Sequence, residues 1–229
     1  MLNGKRVLDV GCGAGRFTEI ALAAGAEVVA LDYSSAVDAC WANHGSCKNL
    51  NVIQGDIYHL PFDLGGFDFV YCLGVLQHTP NVMASFLALP KQLRPGGQLV
   101  VDVYPDLLLN ILWPKYWLRP ITKRAPQQLL FRIVELMVEW FLPISLVIGR
   151  IPKIGRKLRY VIPVVNYDGV LPLSYSLLKE WAVLDTFDMF APKYDQPQTL
   201  SALRRWFEDA GMKNVEVFRR GSYVGKGAK

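Results

Sequence analysis

The chain has 229 residues, of which 52% are hydrophobic and 20% charged, and its formal net charge is +5. That length suits one large domain, or a domain with an insertion, and that composition excludes a disordered chain. The cysteines at 12, 40, 47 and 72 and the histidines at 44, 59 and 78 form neither a paired-ligand spacing nor a disulfide framework, so no structural metal is expected.

Lys5 and Arg6 lead directly into an apolar run rather than a cleavable leader, which makes the cytoplasm the default location. Val7, Leu8 and Val10 read as a short buried parallel strand, and Gly11, Gly13 and Gly15 follow as a turn that can press its backbone against a ligand. A dinucleotide site uses a similar loop, with its last glycine usually one place later, to set a helix on a pyrophosphate. Here Asp9 stands at the loop's mouth, and a carboxylate there suits an ammonium or sulfonium far better than a phosphate. A helix over residues 14–24 should follow. Glu27 to Asp32 reads as a second strand whose terminal carboxylate can accept from vicinal ribose hydroxyls. After a helix at 35–43, Asn51 to Asp56 is a third strand ending in an acid, continued by Ile57-Tyr58-His59-Leu60-Pro61-Phe62. The fourth, Phe67 to Cys72, opens into Leu73-Gly74-Val75-Leu76-Gln77-His78-Thr79-Pro80, with Thr79 as cap and Pro80 as first residue of the next helix. Arg94-Pro95-Gly96-Gly97 turns into strand five, Gln98 to Tyr104. Far downstream, Leu200, Leu203 and Phe207 mark a helix that stops at Gly211, and Val215 to Phe218 and Ser222 to Gly225 are the last two strands.

The blocks VLDVGCGAGRF, ALDYS, GDIYHLPF and LGVLQHTP, in this order and each one strand plus one helix apart, resemble the small-molecule, methyltransferase-11-like branch of the class I S-adenosylmethionine-dependent methyltransferases. The resemblance covers residues 5–103 and resumes near 198. It implies a doubly wound, seven-stranded, mostly parallel α/β sheet (the Rossmann-like methyltransferase fold), its last two strands an antiparallel edge pair. It also implies S-adenosyl-L-methionine as cofactor, with Asp9, Gly11 and Gly13 around the methionine moiety, Asp32 on the ribose, Asp56 with Ile57 at the adenine, Leu73 beside the cofactor at the fourth strand end, and Cys12 and Tyr33 also among the residues that bind it. Family members generally carry helices before the first strand; only Met1 to Lys5 precede it here, which reads as an N-terminally shortened chain.

Three regions result: a cofactor-binding core at 1–104, a mostly helical insertion after strand five at 105–197, and the rest of the core at 198–229. Between 106 and 160 there are ten Lys or Arg against three Asp or Glu, a surplus larger than the whole chain's net charge. From Gln128 to Leu142 a polar stripe of Gln128, Arg132, Glu135 and Glu139 runs along an otherwise apolar helix, which Pro143 should end. Two glutamates and a proline make it a poor membrane span. The preferred reading is a buried lid over the acceptor. The alternative is peripheral contact of residues 113–159 with the inner membrane surface, through Trp113, Trp117 and the basic flanks. Nucleic acid is a weaker fit, because the apolar content exceeds what a phosphate-tracking surface needs.

For catalysis the candidates are His78, just after strand four, and Asp185, Tyr194 and Asp195 on a proline-punctuated loop. Similar DTFD and YDxPQT segments occur in a bacterial subgroup of the family. The expected activity is methyl transfer to an oxygen or carbon of a small, partly apolar acceptor. The alternatives are a cofactor-binding but silent regulatory or scaffolding subunit and an NAD-binding Rossmann protein.

Overall fold

The computed structural model describes residues 2–106 and 114–229, which fall into two compact units, Met1–Asp106 with Tyr194–Lys229, and Leu107–Lys193. The sequence reading of Trp113 lies outside the described residues.

The first unit is built on one sheet of β1 (Arg6–Val10), β2 (Glu27–Asp32), β3 (Leu50–Gln54), β4 (Phe67–Cys72), β5 (Leu93–Val103), β6 (Lys213–Arg220) and β7 (Ser222–Ala228), in the order β3-β2-β1-β4-β5-β7-β6. The first five strands run parallel, joined in part by α1 (Arg16–Ala23), α2 (Ala36–His44) and α3 (Val82–Gln92). The edge pair β6 and β7 is antiparallel, with α8 (Leu200–Asp209) before it. Helices on both faces explain why β1 is apolar at successive positions. Leu8 and Val10 join one core with Phe67, Phe86 and Phe207, while Val7 joins the other with Ala21, Val28 and Tyr71. Strand order reverses at β1, whose neighbours are β2 and β4, and such switch points leave a crevice beyond the strands' carboxyl ends.

Some boundaries differ from the sequence reading. The helix after β4 is capped by Asn81, whose Oδ1 accepts from the Ala84 N–H at 3.0 Å, not by Thr79. Thr79 instead donates its hydroxyl to the Leu76 carbonyl at 2.7 Å, closing a 3-10 turn, Leu76–His78. Strand β5 begins earlier, at Leu93, because a register irregularity against β4 lets the chain pass the Pro95-Gly96-Gly97 bend without leaving the ladder.

The second unit contains α4 (Pro114–Thr122), α5 (Gln127–Gly149), α6 (Gly155–Leu158) and α7 (Tyr175–Phe190). Helix α5 continues past Pro143, contrary to the expected stop. Pro143 lies on an exposed side of the helix, where water can take the carbonyl left without a donor, while buried Leu142 and Ser145 hold the backbone in place. Leu130, Val134, Val138 and Leu142 recur every four residues and pack with Val164, Ala182 and Phe190. This one stripe of the helix is buried, and Leu136, Trp140 and Val147 are exposed. Asp185 to Asp188 lie within α7 rather than on a loop, since Leu178, Ala182, Thr186 and Phe190 give that segment a four-residue buried period. Among the described residues no helix is long and apolar enough to cross a membrane.

Candidate functional site

The site grows from the carboxyl ends of β1, β2 and β4. Gly11 and Gly13 take φ of +84° and +53°, conformations that side-chain-bearing residues rarely adopt. A Cβ on Gly11 would also sit 2.2 Å from Val75 Cγ2, so the loop can approach the segment after β4 only without one. The Gly11 and Cys12 N–H groups donate to the Leu31 carbonyl at 2.6 and 3.0 Å, tying the loop to the end of β2. Cys12 is buried, and burial pushes its thiol pKa well up, leaving a neutral, inert group.

Asp9 is 2% exposed. Its Oδ2 accepts from the Thr18 hydroxyl at 2.7 Å and the Tyr71 hydroxyl at 3.0 Å; Oδ1 accepts no hydrogen bond among the described residues. Burial pushes its pKa up to about 6; the two hydrogen bonds oppose the rise and nearby Asp32 adds to it. Tyr71 is the register partner of Asp9 across the β1–β4 ladder, which sets both side chains on one face of the sheet. Burial and the Asp9 carboxylate raise the Tyr71 pKa far above its usual value, so its phenol stays a donor.

Asp32 holds the loop from the other side. Its Oδ2 accepts from the Gly13 N–H at 2.9 Å, and its Oδ1 from the Ser34 N–H and hydroxyl at 2.8 and 2.7 Å. Tyr33 is exposed, and its carbonyl accepts from the Gln54 amide. Asp56 accepts from the Tyr58 N–H at 3.0 Å and stands 3.6 Å from His59 Nδ1, while Ile57 is buried in the larger core and Leu73 packs against the smaller one.

After β4 the chain turns through Gln77 and His78. His78 Nδ1 is 3.0 Å from the Tyr194 carbonyl. A carbonyl only accepts, so Nδ1 carries the hydrogen and a neutral ring keeps Nε2 as its acceptor. The ring also meets Tyr104 edge-on at 5.4 Å between centroids. The returning segment 194–198 laces this corner together: the Gln196 N–H donates to the Gln77 carbonyl at 2.9 Å, and its side-chain amide to the carbonyls of Thr79 and Pro80 at 2.8 and 3.1 Å. Tyr194 and Asp195 are thus brought to His78. Asp185 is not part of this cluster; it lies in the other unit and accepts from the Tyr167 hydroxyl, beside a cavity of about 290 Å³ that Tyr167 lines with Lys115 and Arg159.

Thr18, Tyr71 and Asp102 were absent from the sequence reading. Tyr71 could be found only once β1 and β4 are known to be neighbours, and the one signal for Thr18 is its place early in the helix after the loop. Asp102 accepts from the Gly74 N–H at 2.5 Å and from the Ser222 hydroxyl at 2.8 Å, so it holds the segment after β4 in place. In sequence it resembles any polar position of an alternating strand.

Carboxylates at three successive strand ends fit a ligand carrying an ammonium, ribose hydroxyls and an amino-substituted base, and repel a pyrophosphate. The comparisons agree with that chemistry. Residues 8–101 match the family described as "Methyltransferase domain". Over 125 residues the chain is 37% identical to a tRNA U34 carboxymethyltransferase of Pseudomonas savastanoi, covering 50% of this chain and 38% of that protein. Over 100 residues it is 35% identical to a ubiquinone biosynthesis O-methyltransferase of Coxiella burnetii, covering 43% of each. The matched stretches therefore span less than half the length of these curated relatives. Magnesium protoporphyrin IX methyltransferase from Synechocystis, solved with S-adenosylhomocysteine, aligns with a TM-score of 0.53 at 16% identity, over 100% of this chain and 75% of that one, a likeness of fold.

Proposed function

We propose that the protein, whose residues 8–101 match the methyltransferase-domain family, transfers a methyl group from S-adenosylmethionine to an oxygen or carbon of a small, partly apolar acceptor. The observation that carries this is Asp9, a nearly buried carboxylate beside the glycine loop whose Oδ1 takes no hydrogen bond among the described residues.

In this reading Asp9 faces the positive charge of the methionine moiety, and Thr18 and Tyr71 fix its orientation. Asp32 receives a ribose hydroxyl on the Oδ2 lone pair that Gly13 leaves open. Asp56 meets the adenine amino group, and Gly11, Cys12, Gly13, Tyr33, Ile57 and Leu73 shape the surrounding walls. S-adenosylmethionine supplies, when bound, a methyl already activated by its sulfonium. The protein's remaining task is to hold the acceptor atom in line and exclude water. His78 Nε2 takes the proton from a hydroxyl acceptor, while the Tyr194 carbonyl holds the ring by Nδ1. Tyr194 and Asp195 border the acceptor at this corner. Asp185 lies in the other unit, where it holds the Tyr167 hydroxyl.

Calorimetry tests the cofactor half. S-adenosylmethionine binds and NAD does not, and Asp32→Ala weakens binding by about 1–3 kcal/mol, the range for a lost charged hydrogen bond. NAD binding without a response to S-adenosylmethionine overturns the reading. The acceptor half needs a panel that includes a tRNA and quinone-type lipids, since the relatives' names point to both. Cofactor binding with no turnover on any acceptor identifies a silent regulatory subunit instead.

A further inference from the structure

Helix α5 divides its circumference into three faces. One is the buried stripe on α7, centred on Val134 and Val138. The second is the polar stripe of Gln128, Arg132, Glu135 and Glu139, all exposed. The third carries Ile133, Leu136, Trp140, Ile144 and Val147, exposed by 41, 62, 73, 48 and 65%. Single exposed apolar side chains are ordinary, but five large ones in a row along one helix form a patch.

Helix α4 gives the same indication independently, because it is inside out. Lys115 and Arg119 are buried, whereas Trp117 and Ile121 are exposed by 66 and 73%. Arg119 is held inside by the carbonyls of Met189 and Pro192 at 3.0 and 2.8 Å. A helix shaped by water alone turns its cations out and its tryptophan in.

Charge identifies what covers α5. Lys123 and Arg124 stand just before the helix, and Arg150, Lys153, Arg156 and Lys157 follow it, all exposed. A second copy of this chain would bring the same positive charge against itself. We propose that the third face of α5 docks flat on an anionic lipid bilayer, its apolar side chains entering the headgroup boundary and the basic clusters at both ends contacting lipid phosphates. Trp140 is an amphipathic ring suited to that depth, and the polar stripe stays in water. This inference goes beyond the methyl-transfer reading, and its test does not use activity.

The full chain is floated with vesicles of phosphatidylcholine alone and with vesicles of equal parts phosphatidylcholine and phosphatidylglycerol, with sedimentation velocity run in parallel. Capture by the anionic vesicles only, reversed by salt, is the expected result. Trp140→Ser with Val147→Ser, and separately Lys153→Glu with Lys157→Glu, should each lower partitioning by about tenfold or more. All of these side chains are exposed, so the variants fold, which circular dichroism verifies. No capture of the native chain, or capture unchanged in both variants, overturns the proposal. So does a dimer that the Trp140→Ser, Val147→Ser variant abolishes while vesicles capture nothing, because the face then belongs to a second copy.

Discussion

Replacing Asp9 by Asn separates what its charge does for the fold from what it does for the cofactor. The pKa of Asp9 in the folded protein is about 6, against its ordinary 3.8 in the unfolded chain. Between those values the native state holds a proton that the unfolded state has released. Its contribution to stability is therefore full below about pH 4 and is lost as pH rises through 6. The difference amounts to about 3 kcal/mol. In Asp9→Asn the amide oxygen can still accept from Thr18 and Tyr71, and no charge has to be buried. Urea unfolding should show the variant more stable than the native protein by about 1–3 kcal/mol at pH 7.5, with the gain shrinking toward pH 4. Cofactor binding should move the opposite way. A cation beside Asp9 needs the ionised form, so at pH 5, one unit below the pKa, native affinity for S-adenosylmethionine should be about tenfold weaker than at pH 7. The variant should bind weakly at both pH values, with a flat profile. Calorimetry in buffers of different ionisation enthalpy counts the released proton directly. A flat profile in the native protein, or the same slope in the variant, refutes the assignment of Asp9 to the positive end of the cofactor.

Other substitutions probe the remaining corners. The buried Gln77 amide has no hydrogen-bond partner at either atom among the described residues, so Gln77→Met should stabilise the protein by about 1–3 kcal/mol, and a loss of stability in urea would reveal a partner. His78→Ala should slow turnover of a hydroxyl acceptor by about 10²–10⁴-fold while S-adenosylmethionine affinity stays constant; weaker cofactor binding with unchanged turnover contradicts its role as base. Leu142→Ala, in the core of the helical unit, should destabilise that unit by about 2–5 kcal/mol and leave calorimetric cofactor binding unchanged.

The glycine loop and the acids around it were legible in the sequence because they are local. A strand, a turn that needs φ above zero and the next helix are contiguous, and an acid ending each strand falls at the mouth of the same crevice once the strands run parallel. Asp9, Gly11, Gly13 and Asp32 could therefore be grouped as candidates, and a parallel, doubly wound sheet followed from strands alternating with helices, whereas its seven strands and antiparallel edge came from the family resemblance. Thr79 and Pro143 misled for an equally local reason. A cap signal and a breaker signal were read from residue type, whereas Asn81 had the better geometry and the packing of Leu142 and Ser145 outweighed one missing N–H. Tertiary structure alone decided which distant residues share a place. The β1–β4 register set Tyr71 on Asp9, and the pairing of segment 194–198 with residues 77–80 carried Tyr194 and Asp195 to His78 while Asp185 stayed in the other unit. The helical unit shows the same limit. Its polar stripe is written in the sequence with a period of 3.6, but a sequence gives every apolar residue the same weight. Only packing determined that Val134 and Val138 are buried against a neighbour while Trp140 and Val147 are exposed.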